Sequence, residues 1–163
     1  MAMLYLADGK AWIGNVGDSR VYLARGGKLF QLTRDHSAVY AMMLRGEITR
    51  EQMRKHPQGN VIGAFIGMEA SRRPHPYAHQ FQTQLCKGDR FMLCSDGLSD
   101  LLKHEELQQK VVEGKDPNLV VNHLIWRAME MGGKDNTTCI VLDVSGPMLK
   151  DPTPESLASL PAV

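Results

Sequence analysis

Glycine-bearing turn dipeptides cut the first third of this chain into segments too short for anything but hairpins. Asp8-Gly9, Gly17-Asp18 and Gly26-Gly27 separate residues 3–6, 11–16, 20–24 and 28–32, each apolar or alternating. Such dipeptides supply the positive φ that tight turns need, and short alternating runs between them read as strands. The four segments therefore predict an antiparallel meander.

Further along, the punctuation changes to helix signals. Ser37 can cap a short helix over 38–44, ended by Gly46 in the C′ position. Thr49 with Gln52 has the form of a capping box, and His56-Pro57 stops the helix it opens. A loop-rich stretch over 57–76 leads to strands over 77–85 and 90–94, joined at Lys87-Gly88-Asp89. One helix is expected over 101–112. Another opens at Asp116-Pro117, a cap followed by proline at the first helical position, and runs to Met131. Its apolar positions Leu119, Val120, His123, Leu124, Trp126 and Met129 keep a helical period. A last strand covers 137–144. The proline-rich residues 146–163 show no period and read as a disordered tail. Strands in hairpins with short helices between them make an α+β domain with antiparallel sheet. No Gly-rich phosphate loop of the nucleotide-binding kinds is present.

Charge and cysteine usage exclude several classes. Lys plus Arg number 19 and Asp plus Glu 18, for a net charge of +1, which gives no field to gather nucleic acid or an anionic membrane. No apolar run approaches the ~20 residues of a membrane-spanning helix, and the opening residues lack the pattern of a secretory signal. Cys86, Cys94 and Cys139 form an odd set with no CxxC pair, which argues against a disulfide framework or a structural zinc site. Each lies in an apolar stretch, so they are expected as buried, reduced thiols in a cytoplasmic protein.

Three aspartates occupy similar settings, each where a strand meets a turn. Asp18 follows Val16-Gly17, Asp96 follows 91–94 and precedes Gly97, and Asp135 precedes the last strand. Carboxylates at sheet rims are placed to converge on a hard divalent cation such as Mn²⁺ or Mg²⁺. Any one of them, taken alone, is better read as turn chemistry. Among the histidines, His75 and His79 have i, i+4 spacing, but Pro74 and Pro76 break the helix that such a zinc pair needs. His36 reads as a structural hydrogen-bonding residue, Arg20 as one half of an ion pair, and Asp100 as support for a helix start.

The wider strings around these residues carry more information. Gly14-Asn15-Val16-Gly17-Asp18-Ser19-Arg20, Leu32-Thr33-Arg34-Asp35-His36, Ser95-Asp96-Gly97-Leu98-Ser99-Asp100 and Gly133-Lys134-Asp135-Asn136-Thr137-Thr138 occur in that order. Together they resemble the metal-dependent protein serine/threonine phosphatases of the type 2C (PPM) family, bacterial branch. Residues 44–49 and 56–62 look like that branch's flap segment, although Gly63-Ala64 stand where the family usually has Thr-Arg. The resemblance implies an α-β-β-α sandwich of antiparallel sheets flanked by helices. Asp96 and Asp135 would be ligands of a binuclear Mn²⁺ or Mg²⁺ centre, and Asp18 a ligand of a third, weakly held ion. No catalytic residue beyond these metal ligands is implied. The implied activity is hydrolysis of phosphoserine and phosphothreonine in proteins by a metal-bridging water. Nothing here resembles the family's first acidic motif, its phosphate-binding arginine or its bridging Asp-Gly pair. Residues 1–145, with a flap-like segment at about 37–67, are therefore expected to be the C-terminal portion of such a domain with N-terminal strands missing. A phosphorylated protein is the implied partner, and missing strands suggest a homo-oligomer or strand exchange. The alternative is a non-catalytic phosphatase-like module that binds phosphoproteins or regulatory partners.

Overall fold

A computed structural model describes residues 1–74 and 77–161. The first hairpin pairs β1 (Ala2–Ala7) with β2 (Lys10–Asn15). Its turn has φ of +49° at Asp8 and +72° at Gly9, the both-positive geometry that matches strand twist. The second hairpin pairs β3 (Arg20–Arg25) with β4 (Lys28–Gln31) around Gly26-Gly27. These hairpins do not form one meander. At Gly17 the chain leaves the first sheet, and the two hairpins enter different sheets: β1-β2-β5 and β4-β3-β6-β7. The strands β5 (His79–Gln84), β6 (Arg90–Cys94) and β7 (Cys139–Asp143) complete them, all pairing antiparallel.

Alternation decides which residues lie between the sheets. Ala11 and Ile13 of β2 meet Val21 and Leu23 of β3 and Phe91 of β6 in an apolar inter-sheet core. The opposite side of the four-stranded sheet presents Tyr22, Ala24, Met92 and Cys94 to helices. Because β3 is covered on both sides, all six of its residues are buried, the burial expected of a central strand. The three-stranded sheet has an outward face that carries Met3 and Tyr5 about half exposed.

The helices are α1 (Ala38–Leu44), α2 (Arg50–Met53), α3 (Asp96–Ser99), α4 (His104–Glu113), α5 (Pro117–Glu130) and α6 (Pro154–Ala158). Ser37 caps α1 through the Tyr40 amide, and Thr49 and Gln52 form the capping box of α2. Asp116 accepts from the Asn118 amide at the start of α5. The helix expected over 101–112 is α4, which begins later, at His104; a separate short helix, α3, precedes it, with residues 100–103 between, so Asp96 begins a helix rather than lying in a turn. On α5 only Val120, Leu124 and Ala128 are buried; Leu119, Trp126 and Met129 of the expected apolar set face solvent.

The expected disordered tail is a second correction. Lys150 bridges to Cys86, and Thr153 and Ser156 form a capping box for α6. Leu160 is buried in the inter-sheet core. Beneath this tail lies a fully buried ion pair, with Arg25 Nη2 2.7 Å from Asp89 Oδ2; Arg25 Nη1 also donates to the Ser156 carbonyl. Pro154 opens α6, while Leu160 supplies the apolar anchor that composition averaging conceals.

Candidate metal centre

Asp18 lies on the crossing between the sheets. Gly17 has φ of +103°, a conformation that favours glycine, and hydrogen bonds fix both of its backbone groups. Its amide donates to His36 Nδ1 at 3.1 Å, and its carbonyl accepts from the His36 amide at 2.9 Å and from Asn15 Nδ2 at 3.2 Å. The neighbouring Arg20 is held by Asp35 through Nε and Nη2, the latter at 2.5 Å. Arg20 Nη1 donates to the Tyr22 hydroxyl, and Gln31 Nε2 to Asp35. His36 and Arg20 thus take the structural roles read from the sequence. Burial, reinforced by the nearby charge of Asp96, pushes the Asp18 carboxyl above its ordinary range.

Asp96 and Asp135 come together because two loops lock against each other. The Ser95 amide donates to the Thr138 carbonyl at 3.1 Å, the Thr138 amide to Ser95 Oγ at 3.0 Å, and Ser95 Oγ to the Asn136 carbonyl at 3.1 Å. Gly97 lies so close to this loop that a Cβ there would sit 2.5 Å from the Asn136 carbonyl oxygen. Each carboxylate spends one oxygen on its own turn. Asp96 Oδ1 accepts from the Gly97 amide, and Asp135 Oδ1 from the Asn136 amide.

All three sequence-predicted aspartates line one cavity of about 480 Å³. Two groups that sequence reasoning had not placed there join them. Asp100 follows Asp96 by four residues, one helical turn, and faces the same space. Burial pushes its carboxyl up against the pull of Arg20, and the charges of Asp96 and Asp18 add to the rise. Arg54, just beyond α2 in the flap-like segment, is the second, with Nη2 donating to the Leu102 carbonyl. Burial, and then the charge of Arg20, lowers its pKa. Lys134 also lines the cavity. With carboxylates as the anionic ligands and no histidine or cysteine in the wall, the donor set fits a hard cation rather than zinc or copper. Among the described residues, however, no three His, Cys, Asp or Glu side chains lie close enough together to form a ready-made chelating group. The His75–His79 spacing lies partly outside the described residues; His79 begins β5, with Nδ1 buried and unpartnered.

Residues 1–119 match the protein phosphatase 2C family. The chain belongs to that family. Among similar proteins, the serine/threonine phosphatase stp of Listeria monocytogenes is 33% identical over 138 residues, covering 85% of this chain and 53% of the relative. The crystal structure of serine/threonine phosphatase Stp1 from Staphylococcus aureus superposes with a TM-score of 0.80 at 32% identity, over 89% of this chain and 56% of that one. The catalytic domain of the serine/threonine protein phosphatase PstP, in complex with 2 manganese ions, superposes with a TM-score of 0.75 at 30% identity, over 87% and 56%. The chain thus spans about half the length of the phosphatase 2C relatives it matches. Its antiparallel sheets with helices follow the fold of these phosphatases. The departure at Gly63-Ala64 is a packed one: Ala64 is fully buried, and the Gly63 amide donates to the His36 carbonyl at 2.6 Å.

Proposed function

We propose that this chain provides part of the metal-dependent active site of a bacterial protein serine/threonine phosphatase. The observation that carries this reading is the meeting of Asp18, Asp96 and Asp135, from three separate strand–turn junctions, around one cavity. In this reading Asp96 and Asp135 hold Mn²⁺ or Mg²⁺ of a binuclear centre, and Asp18 supports a third ion. Bound there, such ions supply a water of lowered pKa and neutralise charge developing on phosphoryl oxygens. The manganese ions of the related PstP catalytic domain support the metal class.

The chain's own residues do the positioning. The Asn15–His36 clamp holds Gly17 and so aims Asp18, and the Ser95–Thr138 lock sets Asp96 beside Asp135. Arg54 and Lys134 line the same cavity as the carboxylates and supply positive charge to receive a phosphoserine or phosphothreonine dianion. Free thiols at Cys86, Cys94 and Cys139 suit a reducing, cytoplasmic setting.

The absence of a ready-made three-ligand group among the described residues favours a second reading for the isolated chain, as a phosphatase-like module that binds phosphoproteins without turning them over. Phosphate release from a phosphothreonine peptide in Mn²⁺ separates the two. The 163-residue chain alone should act barely above background. A longer chain carrying additional metal-ligating carboxylates should turn over, and Asp135→Asn should abolish that turnover. Peptide binding with no turnover in either form would decide for the module.

A further inference from the structure

The strand register creates a feature that the spacing of the cysteines hides. Cys94 ends β6, Cys139 begins β7, and the two are directly opposite in the antiparallel ladder. The ladder's phase follows from the bonds at either end. Ser95 N donates to Thr138 O, and Val144 N to Asp89 O, so those residues form hydrogen-bonded pairs. Alternation then makes Cys94–Cys139 a non-hydrogen-bonded pair, in which Cα atoms stand about 4.5 Å apart and side chains approach most closely. A disulfide needs Cα atoms about 4.4–6.8 Å apart. The pair meets this only at its narrow end, below the commonest disulfide separation of about 5.5–6 Å, so closure pushes the strand ends apart rather than leaving them in place. Both thiols point to the helix side of the sheet, Cys94 within that core and Cys139 packed against it. Cys86 lies beyond the opposite end of β6 and cannot compete. Both thiols are free.

Their position makes the pair more than a packing detail. Asp96 follows Cys94 by two residues and Asp135 precedes Cys139 by four, and the Ser95–Thr138 lock lies immediately next to the pair. We propose that Cys94 and Cys139 are a modification site: a cross-strand dithiol that a hydroperoxide closes reversibly to a disulfide, displacing Asp96 and Asp135 and weakening divalent-metal binding. The metal half of this statement rests on the proposed function; the disulfide half does not.

The chemistry balances with one peroxide. Sulfur of Cys139, the less buried partner, takes one oxygen as the O–O bond breaks, and the other oxygen leaves as water or alcohol. Cys94 sulfur then attacks Cys139 sulfur, forming S–S and breaking S–O, and the oxygen departs as water with the remaining proton. Two thiols are oxidised and the peroxide is reduced. A dithiol reductant reverses the step by exchange. Cys94 lies inside the helix-side core and Cys139 packs against it, which restricts access of a peroxide and makes closure slow. The pair responds to sustained oxidation rather than to a brief pulse.

The test treats the folded chain with hydrogen peroxide, quenches free thiols by alkylation, and digests with trypsin. A cross-link between the peptides 91–103 and 135–150, lost on reduction and absent in Cys139→Val and Cys94→Val, is the expected result. Isothermal titration with Mn²⁺ should show affinity about tenfold weaker in the oxidised wild type, the low end of what disturbed outer-shell support costs, and unchanged in treated Cys139→Val. Prolonged oxidation that leaves both cysteines alkylatable overturns the proposal, as does a cross-link to Cys86. A cross-link with unaltered Mn²⁺ affinity overturns the coupling. Reduced protein that binds no Mn²⁺ overturns the metal reading and the coupling with it, while the peptide masses still decide the disulfide.

Discussion

Two different demands meet at Arg20. Its guanidinium is buried against Asp35, where a paired charge is tolerated but a lone one is not, and its chain position ties it to Asp18 two residues earlier. Removing Asp35 leaves Arg20 uncompensated, so Asp35→Ala should cost about 3–5 kcal/mol in urea denaturation; a loss below ~1 kcal/mol would show the pair to be solvated. Direct loss of a ligand reads differently: Asp96→Asn should keep its unfolding midpoint and lose Mn²⁺ heat in titration. His104 gives a pH test. Its two ring nitrogens are buried without partners, and burial, with Arg50 nearby, lowers its pKa below the ordinary value. The unfolded chain therefore binds the proton more readily than the folded one, and stability must fall as pH drops through the ordinary histidine pKa toward the lowered one. His104→Phe should show a shallower loss over that interval, and parallel curves would remove His104 from the account. The structural hydrogen bonds of Arg20 and His36 were legible from their strings, as was the meeting of the three aspartates at one cavity. Asp100 was read as support for a helix, and it does close α3; its i, i+4 spacing from Asp96 was the further signal that it also reaches the cavity wall. Arg54 carried no local signal, because only the fold of residues 37–67 brings it to the carboxylates.

At the scale of elements, turn chemistry was legible and partnership was not. Asp8-Gly9 and Gly26-Gly27 announce hairpins, but nothing in a dipeptide states that β2 and β3 belong to different sheets; that depends on which strands later cover them. The period of α5 was read correctly and its width was not: Trp126 and Met129 obey the spacing yet miss the narrow stripe that packs on β7. The tail failed for the opposite reason, since one buried leucine and a capping box outweigh four prolines. Leu160→Ala should therefore cost about 2 kcal/mol and expose α6 to protease, and an unchanged melting curve would mean that the tail only rests on the surface. Gly97 sets the sharpest constraint between elements. A methyl there would meet a backbone carbonyl at 2.5 Å, and a carbonyl in a locked loop cannot rotate away as a side chain can. Gly97→Ala should separate the Asp96 and Asp135 loops, lowering Mn²⁺ affinity by about tenfold or more. Wild-type affinity in that variant would show the two loops to be independent.

The whole molecule has helices against its four-stranded sheet and an open border on its three-stranded one. The edge strand β1 carries Met3 and Tyr5 exposed on its outer face, and its pairing phase shows which backbone groups are free. Val16 N donates to Met1 O, and the Met1 amino group to Val16 O, so odd-numbered residues of β1 bond to β2. The amides of Ala2, Leu4 and Leu6 then point to the open edge. Unpaired edge groups are a template for another strand, and a net charge of +1 offers little repulsion between copies. Antiparallel pairing of β1 with β1 of a second copy would make a six-stranded sheet about a twofold axis, the symmetry most dimers adopt. Light scattering across a concentration series should therefore show a reversible dimer. Leu6→Pro provides the control. Proline removes an outward amide that serves no bond within the chain, so the variant should keep its fold and stay monomeric. A wild-type chain that remains monomeric at high concentration would show that the exposed edge is managed by its own twist. A Leu6→Pro variant that still dimerises would move the contact to the outward face around Tyr5 and Trp12.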